Sequence, residues 1–271
     1  MSKKGQSLKE AFQSAFAVVA ILIAFVISYL VYKYIMGSPV NFEGGNPEGH
    51  PMPGNYLAMI YKGGMIVPLL MTCVVTLIIF TIERFIMIGK AKGKGKINVF
   101  VRNIQDLLTS DRIEDAQEAC DKQKGSLANV VKAGLIRYRD LQNDQNLEKD
   151  QKILAIQKEL EEATALELPM LSKNLVILST LASVSVLIGL IGTVLGMIRA
   201  FAALATAGAP DALALATGIS EALINTAFGI TGSTLAIIFY NFFSTKIDAF
   251  TYKIDEAGFS LVQTFAAKTK K

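Results

Sequence analysis

Four polar side chains lie inside long apolar stretches and carry the chemistry needed to hold or pass a proton: Thr193, Glu221, Asn225 and Thr226. A hydroxyl donates and accepts a hydrogen bond, an amide does both through separate groups, and a carboxyl exists with or without its charge. An ionisable group at the centre of a membrane helix costs about 2.5–3.5 kcal/mol on insertion scales, so it faces a cavity or a partner. On that ground Glu221 is read as functional. Threonine hydroxyls can also satisfy themselves on the carbonyl one turn back. At about 100° per residue, Glu221 and Thr226 stand roughly 140° apart around one helix, so both cannot point at the centre of the same lumen. Thr226 is the better lumen candidate, and Glu221 belongs at a flank or a subunit boundary.

These groups sit within two stripes of small residues. Ser185, Gly189, Gly192, Thr193, Gly196 and Ala200 recur at intervals of three and four, as do Gly218, Ala222, Asn225, Thr226, Gly229, Gly232, Ser233 and Ala236. Each stripe lines one face of a helix, and a face without bulk lets two backbones approach closely. Small residues alone indicate only close packing; the polar groups set among them point to something more.

The elements that must position the stripes are apolar runs. The chain has 271 residues, 52% hydrophobic and 18% charged, more apolar than one water-soluble core requires. Runs of about 20 apolar residues, the length that crosses a bilayer, occur at 15–32, 64–82, 175–198 and 213–243. The first is read as a retained anchor, since it is long for a signal sequence and no Ala-x-Ala site follows it. Tyr29, Tyr32 and Tyr34 at its far end, and Tyr56 and Tyr61 before the second, suit a headgroup interface. The loop 37–55 and the turn 202–212 hold no Lys or Arg, whereas Lys90, Lys92, Lys94, Lys96, Lys173, Lys246, Lys253, Lys268, Lys270 and Lys271 flank the other ends of the spans. By the positive-inside rule both termini are cytoplasmic. The turn Gly208-Ala209-Pro210-Asp211 then faces outward. Arg199, Glu83 and Arg84 are read as interfacial anchors near span ends.

Residues 97–173 read as a helical cytoplasmic domain. Ile104, Leu107, Leu108 and Ile113 show helical spacing, with Asp111 placed to cap a new helix. Glu148–Lys152 and Lys158–Glu162 form i,i+4 surface pairs on a helix that bends or breaks near Pro169. The stretch 89–96 is a basic juxtamembrane linker suited to anionic headgroups, with no phosphate-binding motif. Cys73 and Cys120 fall in dissimilar surroundings and imply no disulfide, and His50 stands alone among prolines, so neither a metal nor another cofactor is implied. The basic residues form no nucleic-acid-binding face.

The run Gly189-Leu190-Ile191-Gly192-Thr193-Val194-Leu195-Gly196-Met197-Ile198-Arg199-Ala200-Phe201, the run Gly218-Ile219-Ser220-Glu221-Ala222-Leu223-Ile224-Asn225-Thr226-Ala227-Phe228-Gly229 and the pair Tyr240-Asn241 resemble the MotA/TolQ/ExbB proton-channel family, most closely its ExbB branch. The resemblance covers roughly residues 57–250. It implies a homopentamer whose third and fourth spans line a central pore, occupied by a single-span ExbD-type partner that carries the titrating Asp. It implies that Thr193 and Thr226 are pore threonines and Glu221 the pore-region acid, with Asn225 beside them. A TonB-like protein is the implied recipient of the energy. The extra N-terminal span departs from the three-span ExbB core and equals the count of the flagellar-stator branch.

The expected fold is therefore all-α: a polytopic membrane protein with four transmembrane helices and a helical cytoplasmic domain, arranged as an oligomeric ring around a central pore. The expected segments are 1–36 (tip and first span), 37–56 (periplasmic loop), 57–88 (second span), 89–173 (cytoplasmic domain), 174–206 (third span), 207–212 (turn), 213–245 (fourth span) and 246–271 (tail). The expected function is an inner-membrane proton channel and motor subunit serving TonB-dependent outer-membrane transport. A TolQ-like or flagellar-stator-like (MotA) subunit and a non-transporting membrane scaffold remain alternatives. An enzyme ranks last, for want of a nucleophile and base or a metal cluster.

Overall fold

Hydrocarbon offers backbone groups no partner, so an apolar run that meets lipid closes its hydrogen bonds within a helix. The computed structural model, which describes residues 3–142, 147–205 and 212–268, is built on that rule. Helix α1 spans Lys3–Leu30 and continues as a wider π-helical turn, Val31–Met36. After α2 (Tyr56–Tyr61) come α3 (Val67–Ala91), α4 (Ile97–Thr109), α5 (Ile113–Gln123), α6 (Ser126–Gln142), α7 (Lys149–Ser172), α8 (Leu175–Ala205) and α9 (Ala212–Lys268). Among the described residues the β pairing is confined to a bridge between Phe42 and Pro51. The segments Phe16–Met36, Gly64–Ala91, Lys149–Ala205 and Ala214–Ala267 each contain a window long and apolar enough to cross a membrane, and the protein itself buries no more than 50% of any such window. The rest of these apolar surfaces is left for lipid or neighbouring protein to cover.

The chain divides into two units. One comprises residues up to Ile82 with Ile177–Tyr240. Here Phe16 of α1 meets Phe80 of α3 edge to face at 6.2 Å. Tyr32 is buried and stacks on Tyr61 at 4.6 Å while its hydroxyl donates to the Tyr61 carbonyl, so these two rings pack on each other; Tyr29, Tyr34 and Tyr56 are exposed. The loop 37–55 is held by its own bonds. Asn41 donates to the Ile35 and Met36 carbonyls, Asn55 donates to Asn41 and caps α2 through the Leu57 and Ala58 amides, and Phe42 is 1% exposed. The expected outward turn 208–211 lies outside the described residues.

The second unit comprises Glu83–Val176 with the residues from Asn241 onward. Phe100, Ile104 and Leu108 fall one turn apart on α4 and are buried, as are Val131, Leu135 and Tyr138 of α6, Ile156 of α7 and Phe265 of α9, and Tyr138 meets Phe265 edge to face at 4.6 Å. Three local expectations change. Asp111 adopts the left-handed conformation (φ 61°) and Arg112 takes the N-cap position of α5 without a side-chain cap, so Asp111 does not cap this helix. Glu148 closes a capping box with Gln151 while Lys152 is buried, so the two form no surface pair. Helix α7 runs through Pro169, and the break comes at 173–174, between α7 and α8.

The basic linker is docked. Lys94 N donates to the Gln123 carbonyl at 2.6 Å and the Gln123 side chain donates to the Lys92 carbonyl at 3.2 Å. Gly93 (φ 69°) allows this approach, since a Cβ there would run into the Gln123 and Lys124 carbonyls. Lys90, Lys92, Lys94 and Lys96 remain exposed.

Cys73 and Cys120 are free and buried. Burial pushes the Cys120 thiol up to about 12, with Asp121 adding to the rise. The unfolded chain ionises at lower pH than the folded one, so this thiol draws stability down as pH rises from the ordinary thiol range toward 12. Cys120 is expected to resist a thiol reagent at pH 8 in folded protein and to react within minutes once denatured, as mass spectrometry of the labelled peptide would reveal.

Candidate functional site

The two stripes meet as one seam between α8 and α9. A Cβ added at Gly196 would lie 2.8 Å from Ala222 N and Gly218 O; at Gly218, 2.8 Å from Ala200 N and Gly196 O; at Gly189, 2.9 Å from Asn225 O; and at Gly229, 2.7 Å from Ser185 O. Backbone faces backbone over most of the seam's length. Gly192 is backed by the Asn225 side chain, and Gly232 lies more loosely, 3.4 Å from Ser185. Ser185 and Ala222 are buried in the same contact, and the Ser233 hydroxyl donates to the Ala182 carbonyl.

The polar groups divide between the two flanks of this seam. On one flank Thr193 and Thr226 hydrogen bond directly to each other. Each also reaches back along its own helix, Thr193 to the Gly189 carbonyl and Thr226 to the Ala222 carbonyl, both at 3.1 Å, and Thr193 lies 3.4 Å from the Ala222 carbonyl across the seam. Both threonines are half-buried within the chain. Each hydroxyl has one proton and several acceptors in reach, so the proton can be passed between alternative partners by rotation about one bond.

On the other flank Arg199 Nη1 meets Glu221 Oε1 at 2.5 Å, with the carboxylate side chain 6% exposed and the guanidinium 55%. The turn Gly63–Gly64 closes over this pair: a Cβ on Gly64 would overlap the Glu221 carboxyl and come within 3.3 Å of Arg199 Nη1. Asn225, fully buried, donates to the Gly63 carbonyl at 2.8 Å.

The structure therefore brings Thr193 and Thr226 together and keeps Glu221 and Asn225 apart from them, facing the 63–64 turn. The helical angle between Glu221 and Thr226 is the reason. Arg199, expected as a lone interfacial anchor, is Glu221's partner. The signal that could have revealed it is opposite charge at similar height: at 1.5 Å per residue Arg199 lies about 9 Å before the end of α8 and Glu221 about 14 Å after the start of α9, a gap a long side chain closes. Among the described residues no cluster of His, Cys, Asp or Glu could hold a metal ion.

Residues 122–256 match the MotA/TolQ/ExbB proton channel family, a stretch that contains both halves of the seam. The chain is 26% identical over 194 residues to the Tol-Pal system protein TolQ of Pseudomonas aeruginosa, covering 70% of this chain and 83% of that one. It is 27% identical over 195 residues to the biopolymer transport protein ExbB of Pseudomonas putida, covering 71% and 56% respectively. Over 86 residues it is 40% identical to a putative biopolymer transport protein ExbB-like 3 of Synechocystis sp., covering 31% of this chain and 41% of that one. The match thus spans about half the length of two of these relatives and most of the third. Seam, hydroxyl pair and family match coincide in one segment, and the chain belongs to the MotA/TolQ/ExbB proton channel family.

Proposed function

We propose that the chain is the ring-forming subunit of a proton-driven motor in a bacterial inner membrane. Five copies would surround a single-span partner of ExbD type that carries the titrating carboxyl, with both termini of each copy on the cytoplasmic side. The observation that carries this reading is the Thr193–Thr226 hydroxyl pair, half-buried on one flank of a seam in which backbone meets backbone over most of its length. In the ring that flank faces the partner helix, and the pair receives a proton from the partner's carboxyl and hands it on. The transmembrane potential supplies about 2.3 kcal/mol per charge per 100 mV, enough to bias one conformational step per proton. Hydroxyls transfer protons without storing them, so the titrating group belongs to the partner.

The motor's output is proposed to reach a TonB-like protein and drive outer-membrane transport. A Tol-Pal role is the second reading, favoured by the fuller coverage of the TolQ relative. Deletion distinguishes them: loss of energised nutrient uptake selects the first, and a leaky envelope with intact uptake the second.

Thr193→Ala combined with Thr226→Val is expected to lower proton flux on the order of 10²-fold, the lower end of what positioned proton-transfer groups contribute. The measurement is flux into vesicles holding this protein with its partner, under an imposed potential, with assembly checked by size-exclusion chromatography. Wild-type flux in the assembled double variant would refute the reading.

A further inference from the structure

We propose that Arg199 is a positioning residue that holds Glu221 as a fixed counter-ion against the Gly63–Gly64 turn, so that Glu221 serves as a structural anion and carries no proton. The proposal rests on the proton-channel reading above and assigns a role within it.

Three observations converge on the flank opposite the hydroxyl pair. The ion pair is direct, at 2.5 Å, and its carboxylate is 6% exposed, so the guanidinium is the group that compensates the charge. Gly64, at φ 75°, leaves room for the carboxyl that any side chain at that position would take. One turn along α9, Asn225 fastens the same turn through the Gly63 carbonyl. The Tyr32 phenol also lies close enough to feel both charges, and its hydroxyl donates to the Tyr61 carbonyl. Arg199 and Glu221 thus join α8 to α9, and with Asn225 they pin the chain where it enters α3. Breaking a buried pair by removing one partner strands the other charge, whereas neutralising both does not.

That asymmetry gives the test. Arg199→Gln, Glu221→Gln and the double variant are assembled with the partner in vesicles for proton flux and purified in detergent for thermal unfolding. Arg199→Gln strands a buried carboxylate and is expected to be the more damaged single variant, with flux reduced at least about tenfold and Tm lowered by roughly 5 °C. Glu221→Gln leaves a half-exposed guanidinium and is expected to retain more flux. The double variant is expected to recover most of both losses. A proton-carrying Glu221 predicts the reverse: Glu221→Gln and the double variant without flux, Arg199→Gln conducting. That pattern, or additive Tm losses in the double variant, would overturn the proposal. Absence of flux in the wild type would count against the proton-channel reading itself, and the thermal cycle alone would then decide whether Arg199 holds Glu221.

Discussion

Gly196→Val is expected to abolish proton flux and to leave little folded protein. The new side chain starts where its Cβ would sit 2.8 Å from a backbone nitrogen and a backbone oxygen of α9, and neither can rotate away. The helices must separate, and the seam loses contact over several turns because Gly189, Gly218 and Gly229 depend on the same spacing. Overpacking a core commonly costs about 1–3 kcal/mol when side chains can yield. Here both obstacles are main chain, so the loss belongs at or above the top of that range. Gly196→Ala should fall between valine and wild type. Gly232→Ala is the control: its Cβ would meet the side chains of Ser185 at 3.4 Å and Val74 at 3.6 Å, both ordinary contacts, and alanine gains about 1 kcal/mol over glycine in helix propensity. It should be neutral or slightly stabilising. Detergent-solubilised Tm and vesicle flux across the three variants test the order, and a tolerated Gly196→Val would disprove direct backbone contact.

Glu83→Ala is expected to destabilise the protein more than Arg84→Met, although Arg84 makes more hydrogen bonds. The Arg84 side chain is 1% exposed and donates to both Glu83 oxygens, at 2.6 and 2.5 Å, and to the Leu171 carbonyl at 2.7 Å. Without Glu83, whose side chain is 20% exposed, a buried guanidinium keeps one neutral acceptor and no counter-charge. Breaking such a pair typically costs about 3–5 kcal/mol. Arg84→Met instead leaves a carboxylate that water can reach and fills the space with apolar volume, a change of about half that size by the same argument. Equilibrium unfolding of both variants checks the order. If Arg84→Met proves the worse, the Leu171 carbonyl near the end of α7 is the dominant contact.

The helices and the stripes were legible in the sequence because both rest on local rules: run length against bilayer thickness, and spacing against 3.6 residues per turn. Angle alone separated Glu221 from Thr226. Pairings between distant segments were not legible. Tyr32 with Tyr61, Gln123 with the Lys92–Lys94 backbone, and Arg84 with Leu171 each join residues 29 to 87 positions apart, or about 30 for the linker, and no periodicity reports such contacts. A basic residue near a span end suggests an anchor; for Arg199 only the fold reveals the carboxylate beside it, whereas Arg84 has its carboxylate next to it in sequence and what stayed hidden was its burial and its bond to the Leu171 carbonyl. Asp111 shows the opposite failure, where a residue favoured at a cap yielded that position to its neighbour.

The division of the seam into a charged flank and a hydroxyl flank has an electrical consequence. Arg199 and Glu221 cancel each other, and threonine hydroxyls neither gain nor lose a proton near neutrality. On the proposed reading, a seam built this way is expected to pass no protons until the partner supplies the ionising group. A cell that makes this chain in excess of its partner should keep its gradient intact.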